Sequence, residues 1–330
     1  MDFDLTEVQR SWRDRGTTLG RDIAPGAAAA TVVAGAARTG LLDPAADLLA
    51  VAVATEALAS ESPAAGVIYA LHSGTALAMA HLRQGDGGQA AAVFDSLFRG
   101  EAVAAVGLTS DAAPIEKEGE LAGRAPWVAP ITEHGVAVVG PRDGGERVAY
   151  AVSLEAPGVD VDAVYTAGLA GMICGHVTLR GAAGQLMGPT YPIMSRIRLL
   201  MAAAGLGIGR RALREALHTA RAAHTAAAGE QTVQGLLADA ATDLDAAMLV
   251  TWKAATAPSL SLADASLAKI MVTVAAQRAV ERATQVVGVD SFQRGHIIER
   301  LAQDVRALEL FAGRTEALRG AVAEEFLPRS

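Results

Sequence analysis

The residues that most often carry catalysis or bind metals are sparse in this chain and poorly spaced for either task. His218 and His224 lie six residues apart, so their imidazoles point to different faces of a helix. A helical zinc site needs two ligands four residues apart, and the sequence therefore predicts no metal. Cys174 is the only cysteine, and its apolar neighbours Met172 and Ile173 make it a small hydrophobic residue rather than a nucleophile.

Gly205, Gly207 and Gly209 form a glycine-rich run of the kind found in phosphate-binding loops. They lie, however, inside a helical pattern. A dinucleotide-binding loop needs a strand before its glycines and a helix after them. Close packing of two helices is therefore the better interpretation. On local chemistry alone, the chain is a soluble α/β/α protein of undefined role.

Hydrophobic periodicity divides the chain into three regions, which we take as domains. Residues 1–100 carry helical patterns, residues 101–188 carry short β-like runs between glycine and proline turns, and residues 189–330 return to helical patterns. The long helical segments of the third region are 193–226, 230–256, 259–288 and 296–325. Their short connections predict an antiparallel four-helix bundle. The expected fold is mostly α, with a small, barrel-like β domain in the middle.

Composition excludes several classes of protein. The chain has 330 residues, of which 51% are hydrophobic and 4% aromatic, and its net charge of −8 makes nucleic acid an unlikely partner. One cysteine excludes a disulfide scaffold. An acidic start and the lack of a long apolar run predict neither a signal peptide nor a membrane span, hence a cytoplasmic protein. Lysine occurs only as Lys117, Lys253 and Lys269; with the abundant alanine, we interpret this scarcity as coding bias.

Several segments of the C-terminal half carry a recognisable pattern at regular spacing. They are Arg198–Leu213, Gln231–Asp239, Ala265–Ile270, Gln285–Val289, Ile298–Arg306 and Phe311–Glu316. In residues and order, these segments resemble the acyl-CoA dehydrogenase superfamily. The resemblance covers 190–325 and extends less closely over 100–188. It implies the three-domain fold of that family, bound FAD and an acyl-CoA substrate.

The resemblance also implies a reaction, and this chain lacks the residue that would perform it. In the family, a glutamate removes the α-proton of an acyl thioester while the flavin accepts a hydride from the β-carbon. Such a base must be desolvated to raise its pKa towards neutrality. The two positions that match the family's alternative glutamates are Ala312 and Ile197. Neither side chain can accept a proton, so we predict no catalytic residue in this chain.

The flavin-binding pattern of the family is incomplete here. The residues that match it, and that the resemblance implies as cofactor contacts, are Thr109, Trp127, Arg221, Gln231, Gln285 and Gly288. Val289 and Ser291 replace two family glycines at which the backbone approaches the FAD diphosphate. Arg198 matches the arginine implied to contact the CoA phosphates. For each residue, an ordinary structural role remains open, such as a β-core position for Trp127.

Three functional hypotheses follow. The favoured one is the base-less subunit of a heteromeric FAD-dependent acyl-CoA dehydrogenase, resembling actinobacterial α2β2 enzymes of steroid degradation. A second, unlike subunit would then supply the glutamate. The alternatives are a homo-oligomeric enzyme of the same fold with another base or other chemistry, and a non-catalytic acyl-CoA-binding protein. The residues considered as replacement bases are His72, His296, Glu316 and Asp304.

Overall fold

The computed structural model describes residues 4–82, 90–108, 114–117, 119–140, 142–143, 146–222 and 230–327. Helices dominate both ends of the chain, and the strands lie between them. This order confirms the expected mostly α fold with a small β region in the middle.

The N-terminal region is a group of five helices. They are α1 (Glu7–Asp22), α2 (Ala29–Arg38), α3 (Leu48–Glu61), α4 (Pro63–Leu82) and α5 (Ala90–Phe98). α1 begins with a capping box, in which the Thr6 hydroxyl accepts from the Gln9 backbone and the Gln9 side chain accepts from the Thr6 backbone. α3 and α4 are apolar on nearly every face, because both are covered by other helices.

The middle region consists of two sheets packed over a small apolar core. Its strands are β1 (Val103–Gly107), β2 (Ile115–Lys117), β3 (Glu120–Val128), β4 (Gly135–Val139), β5 (Arg142–Asp143), β6 (Glu146–Ser153), β7 (Val159–Val164), β8 (Cys174–Ala183) and β9 (Gln185–Pro189). One sheet has the order β1-β4-β6-β5, with β9 also paired to β6, and the other has the order β2-β3-β8-β7. β1 and β4 are parallel, whereas the remaining pairs are antiparallel.

The C-terminal region has one more helix than the sequence predicted. The helices are α6 (Tyr191–Ala222), α7 (Gln231–Ala255), α8 (Leu262–Val287), α9 (Ile297–Leu310) and α10 (Thr315–Phe326), with a 3-10 helix (Gly288–Phe292) after α8. The predicted fourth helix, 296–325, is divided because Ala312 and Gly313 have φ values of 58° and 105°. Those values lie outside the right-handed helical region and end α9.

The alternating glycines of α6 lie where three helices approach α6 closely. A Cβ on Gly207 would clash with the carbonyl oxygen of Glu56 in α3 and lie 2.8 Å from the backbone nitrogen of Ser60. A Cβ on Gly205 would meet Val272 of α8, and one on Gly209 would meet Leu244 of α7. The close-packing interpretation of these glycines is therefore confirmed. Within the described residues, no helix is long and apolar enough to cross a membrane.

Candidate functional site

The turn between α9 and α10 lies at the position where the family resemblance predicts a base. Ala312 is 7% exposed and adopts a left-handed conformation, which is uncommon for a residue with a Cβ. Its carbonyl oxygen accepts a hydrogen bond from Arg198 Nε at 3.2 Å. The next carbonyl, of Gly313, accepts one from Lys269 Nζ at 2.7 Å. Two basic side chains therefore hold this turn by its backbone.

Arg198 extends from α6 to join the turn to α8. Besides its bond to Ala312, it donates from Nη1 to the hydroxyl of Ser266 at 2.9 Å. Desolvation by burial lowers the pKa of Arg198 to about 10, so the guanidinium remains charged at neutral pH. The predicted contact with CoA phosphates stays a prediction; the contacts in the structure give Arg198 a role in positioning the turn.

Lys269, also on α8, is the residue of this site that the sequence reasoning missed. Its side chain is 2% exposed. Burial, reinforced by the neighbouring Arg198 charge, lowers the pKa of Lys269 to about 7, while Glu309 opposes the shift. The sequence did contain an indication of this role. Lysine is so rare in this chain that each of its lysines could have been considered as a functional residue.

The second position implied for a base, Ile197, is fully buried where α4 and α6 touch. A Cβ on Gly74 of α4 would lie 3.0 Å from the Ile197 backbone. Ile197 and Ala312 belong to the same apolar cluster, which also includes Ala129 of the β region. The structure thus brings the two positions into one hydrophobic core, and neither of them carries an ionisable group.

Trp127 lies in the β region at a bulge between β3 and β8. Ala125 pairs with Val177 and Val128 pairs with Gly175, so that two residues of β3 oppose His176 alone. Trp127 has a φ of 57° and is 53% exposed, which excludes the β-core interpretation. Its backbone N–H donates to His176 Nδ1 at 3.4 Å, and the two rings meet edge to face with centroids 5.5 Å apart. This geometry presents an aromatic surface that fits a flat ring system.

The segment after α8 fits a diphosphate poorly. Gln285 is exposed in the last turn of α8, and Gly288 ends that helix with a φ of 73°. Val289, at a family glycine position, is 82% exposed, so a branched side chain stands where the backbone would have to approach the phosphates. Ser291 is buried and donates to the Gly288 carbonyl at 2.6 Å. The aromatic surface at Trp127 therefore suits a flavin ring, whereas this segment does not suit the rest of FAD.

Two of the remaining residues expected to bind the cofactor lie at helix ends. Arg221 lies in the last turn of α6 and Gln231 is the first residue of α7, and both are exposed. Thr109 lies outside the described residues. None of these three roles is tested by the geometry, and they remain predictions.

Two of the four possible replacement bases are occupied in structural contacts. The buried His72 uses both ring nitrogens: Nε2 bonds the Leu97 carbonyl at 3.1 Å, and Nδ1 accepts from the Ala104 N–H at 3.2 Å. Burial lowers the pKa of His72 to about 4. Asp304 accepts a hydrogen bond from the buried Leu169 N–H, and burial raises the pKa of Asp304 to about 6.

The other two possible bases lie at helix N-termini. His296 is the N-cap of α9 and accepts from the Ile298 N–H at 3.2 Å. Glu316 is exposed in the first turn of α10. Among the described residues, no three His, Cys, Asp or Glu side chains converge to hold a metal ion.

Asp304 joins the bundle to the β region, and its replacement tests this link. We expect Asp304→Ala to lower the free energy of unfolding by about 1–3 kcal/mol, because it leaves the buried Leu169 N–H without an acceptor. Asp304→Asn keeps an acceptor and should lose less. Urea unfolding of both variants at pH 7.5 measures the difference. Equal losses would show that the hydrogen bond to Leu169 does not contribute to the free energy of unfolding.

Comparison with known proteins agrees with this architecture. Residues 193–327 match the model of the acyl-CoA dehydrogenase C-terminal domain. The butyryl-CoA dehydrogenase of Megasphaera elsdenii superposes with a TM-score of 0.86 at 16% identity, over 99% of this chain and 100% of that chain. A glutaryl-CoA dehydrogenase of Mycobacterium smegmatis, in complex with FADH2, gives 0.87 at 13% identity, over 98% and 96% of the two chains.

A curated relative is more similar in sequence over a shorter span. The 3-sulfinopropanoyl-CoA desulfinase of Paraburkholderia xenovorans strain LB400 is 35% identical over 99 residues, which are 29% of this chain. The match spans 26% of that relative's length. The fold is that of the acyl-CoA dehydrogenases, with an N-terminal helical region, two small sheets and a C-terminal helical bundle. Residues 193–327 are therefore similar in sequence to the C-terminal domain of the acyl-CoA dehydrogenases, and the described residues share the fold of those enzymes.

Proposed function

We propose that this protein is the base-less subunit of a heteromeric, FAD-dependent acyl-CoA dehydrogenase, whose second, unlike chain supplies the catalytic glutamate. The observation that carries the proposal is the turn at Ala312. This turn is kept in place by Arg198 and Lys269, although its central side chain is a methyl group. A turn maintained without its base fits a chain that supports an active site in a complex.

The proposal assigns separate tasks to the two chains. FAD, when bound, supplies the hydride acceptor for α,β-desaturation. In this chain, Trp127 would lie against the flavin ring, and Arg221, Gln231 and Gln285 would contact the cofactor from the bundle. The family resemblance implies a further contact from Thr109. The exposed Val289 argues that the diphosphate is held mainly by the partner.

The remaining details of the proposal concern domains, substrate and location. The helical region 1–100, the β region 101–188 and the bundle 189–330 act as the three domains of the family fold. The substrate is an acyl-CoA. The resemblance to actinobacterial α2β2 enzymes favours a steroid side-chain CoA ester, handled in the cytoplasm as a step of lipid breakdown. Arg198 remains the candidate for the CoA phosphates.

A second candidate is an enzyme of this fold that acts alone with different chemistry. Similarity to a desulfinase favours it, because that relative is named for a reaction other than desaturation. The contacts of His72 and Asp304 weaken it, because both side chains hold backbone groups. A non-catalytic acyl-CoA-binding protein is the third possibility and would bind the thioester without flavin.

Equilibrium dialysis separates these functions. The purified chain and a complex co-expressed with a neighbouring acyl-CoA dehydrogenase gene are dialysed against FAD and against an acyl-CoA. We expect the chain alone to retain little FAD and the complex to be yellow and active. A colourless chain that binds acyl-CoA both alone and in the complex would favour the binding protein. A chain active without any partner would refute the proposal.

Replacement of Trp127 tests the flavin contact. In the complex, Trp127→Leu should weaken FAD binding about fivefold, because the loss of an aromatic surface costs roughly 1 kcal/mol. Tyr165→Leu is a matched control, since Tyr165 is another aromatic residue of the β region and is 79% exposed. Fluorescence titration with FAD measures both affinities. Equal effects of the two variants would remove Trp127 from the flavin site.

A further inference from the structure

A cavity of about 470 Å³ lies between the N-terminal helices and the bundle, on residues to which the proposed reaction gives no role. Its volume is within the range of small-molecule sites. The residues that line it come from the N-terminal segment, α1, α3, α6 and α7; they are Asp4, Leu5, Arg10, Arg13, Val53, Glu56, Ala57, Arg210, Met248 and Trp252. Four separate parts of the fold therefore meet around one space, in addition to the chain's N-terminal segment.

The acidic group on α3 that lines the cavity is already neutralised. Arg210 Nε lies 2.7 Å from Glu56 Oε1, and another nitrogen of Arg210 lies 3.1 Å from Asp245. Burial raises the pKa of Glu56, and the Arg210 charge opposes that shift. Arg210 also contacts the sulfur of Met248 at 3.0 Å. These contacts fix the α3 and α6 side of the cavity and leave little capacity there for a ligand.

The α1 side of the cavity carries two further arginines. Arg10 donates to the Leu5 carbonyl, and Arg13 forms a 3.7 Å ion pair with its neighbour Asp14. A guanidinium has five N–H donors in a planar fork, so each arginine can donate to a ligand in addition to these contacts. The Arg13 charge also acts on Glu56 and lowers its pKa. Asp4 adds one negative charge to the lining. Arg210 is paired with Glu56 and Asp245, so Arg10 and Arg13 form the cationic side of the lining.

The rest of the lining is apolar. Leu5, Val53, Ala57, Met248 and Trp252 provide a surface on which a hydrocarbon or aromatic body can be buried. A pocket with a largely apolar lining and a few polar groups at one side orients an amphipathic ligand. Arginine recognises a carboxylate through two parallel hydrogen bonds.

We propose that this cavity binds a small organic carboxylate, with its carboxylate on Arg10 and Arg13 and its apolar body against Trp252 and Met248. The site is separate from the turn at Ala312 and from Trp127. It does not depend on the proposed dehydrogenase activity, and its test requires no flavin.

The test uses the full chain, with any partner that co-purifies, and 4-phenylbutyrate as the probe. Ligand-observed NMR titration should give saturable binding. The uncharged 4-phenylbutyramide should bind the unaltered chain at least about tenfold more weakly, because it lacks the carboxylate that forms charge-assisted bonds. Phenyl phosphate, titrated in parallel, distinguishes a carboxylate site from a general anion site. Lack of saturable binding, equal binding of the amide or tighter binding of the phosphate would overturn the proposal.

Variants then place the probe in the cavity. Arg13→Gln and Arg10→Gln should each weaken 4-phenylbutyrate binding about tenfold and leave the weak binding of the amide unchanged. Arg21→Gln is the matched control, because Arg21 lies on the same helix but faces Glu61 at 3.8 Å. A loss of binding in Arg21→Gln equal to that in Arg13→Gln would also overturn the proposal.

Discussion

Gly207→Ala should lower the free energy of unfolding by about 3 kcal/mol or more, a larger loss than most substitutions cause. The added methyl group would clash with the Glu56 carbonyl and approach the Ser60 nitrogen at 2.8 Å. Both obstacles are backbone atoms of α3, so no side chain can rotate away, and α3 and α6 would have to separate. Urea unfolding followed by circular dichroism measures the loss.

The control for this prediction is Gly235→Ala. Gly235 lies in α7, and a Cβ there would meet no atom within 4 Å. Because alanine has the higher helix propensity, this variant should be as stable as the unaltered chain or gain up to about 1 kcal/mol. If both alanine variants had the same stability, the claim that α3 and α6 approach too closely at Gly207 for a methyl group would be wrong.

Raising the pH from 7.0 to 8.5 should increase the free energy of unfolding by about 1.5 kcal/mol through Lys269. Burial lowers the pKa of this lysine to about 7 in the folded protein. An unfolded lysine has a pKa near 10.4, so between these two values the unfolded state binds more protons. The folded state therefore gains stability as the pH rises above 7.

Lys269→Met separates this contribution from all others. The variant leaves the Gly313 carbonyl without its donor, and its stability should not rise between pH 7.0 and 8.5. Relative to the unaltered chain, it should therefore lose more stability at pH 8.5 than at pH 7.0, because the unaltered chain gains stability over this interval and the variant does not. The pKa shifts of Asp304, to about 6, and of His72, to about 4, act below this interval. Denaturant unfolding at four pH values measures both slopes, and parallel slopes would contradict the assignment to Lys269.

The order of the three regions could be predicted from the sequence, because it depends on local patterns. Helical and alternating hydrophobic periods distinguish helices from strands without knowledge of the fold. The glycines of α6 were interpretable for the same reason, since they lie within an uninterrupted helical pattern. The base positions followed from the family resemblance, and the structure places Ala312 and Ile197 in one buried cluster.

The break between α9 and α10 could not be predicted, because it depends on distant side chains. The segment 296–325 has a continuous apolar period, yet Ala312 takes a positive φ. Arg198 and Lys269 bond the carbonyls of this turn from positions 114 and 44 residues away in sequence. Such tertiary contacts override local propensity.

The surroundings of Trp127 could not be predicted from the sequence for a similar reason. Its exposure depends on the bulge opposite His176, and the register of two strands decides that bulge. The cavity beside Glu56 is formed by residues as distant as Asp4 and Trp252, so no local motif could indicate it.

The central claim is that this chain supports an active site whose base lies on another chain. Affinity purification of the tagged chain from its native host, with partner identification and flavin absorbance, tests it most directly. The account predicts an equimolar, yellow complex with an unlike acyl-CoA dehydrogenase chain that carries a glutamate at the position matching Ala312. A yellow homo-oligomer that oxidises an acyl-CoA without any partner would contradict the account.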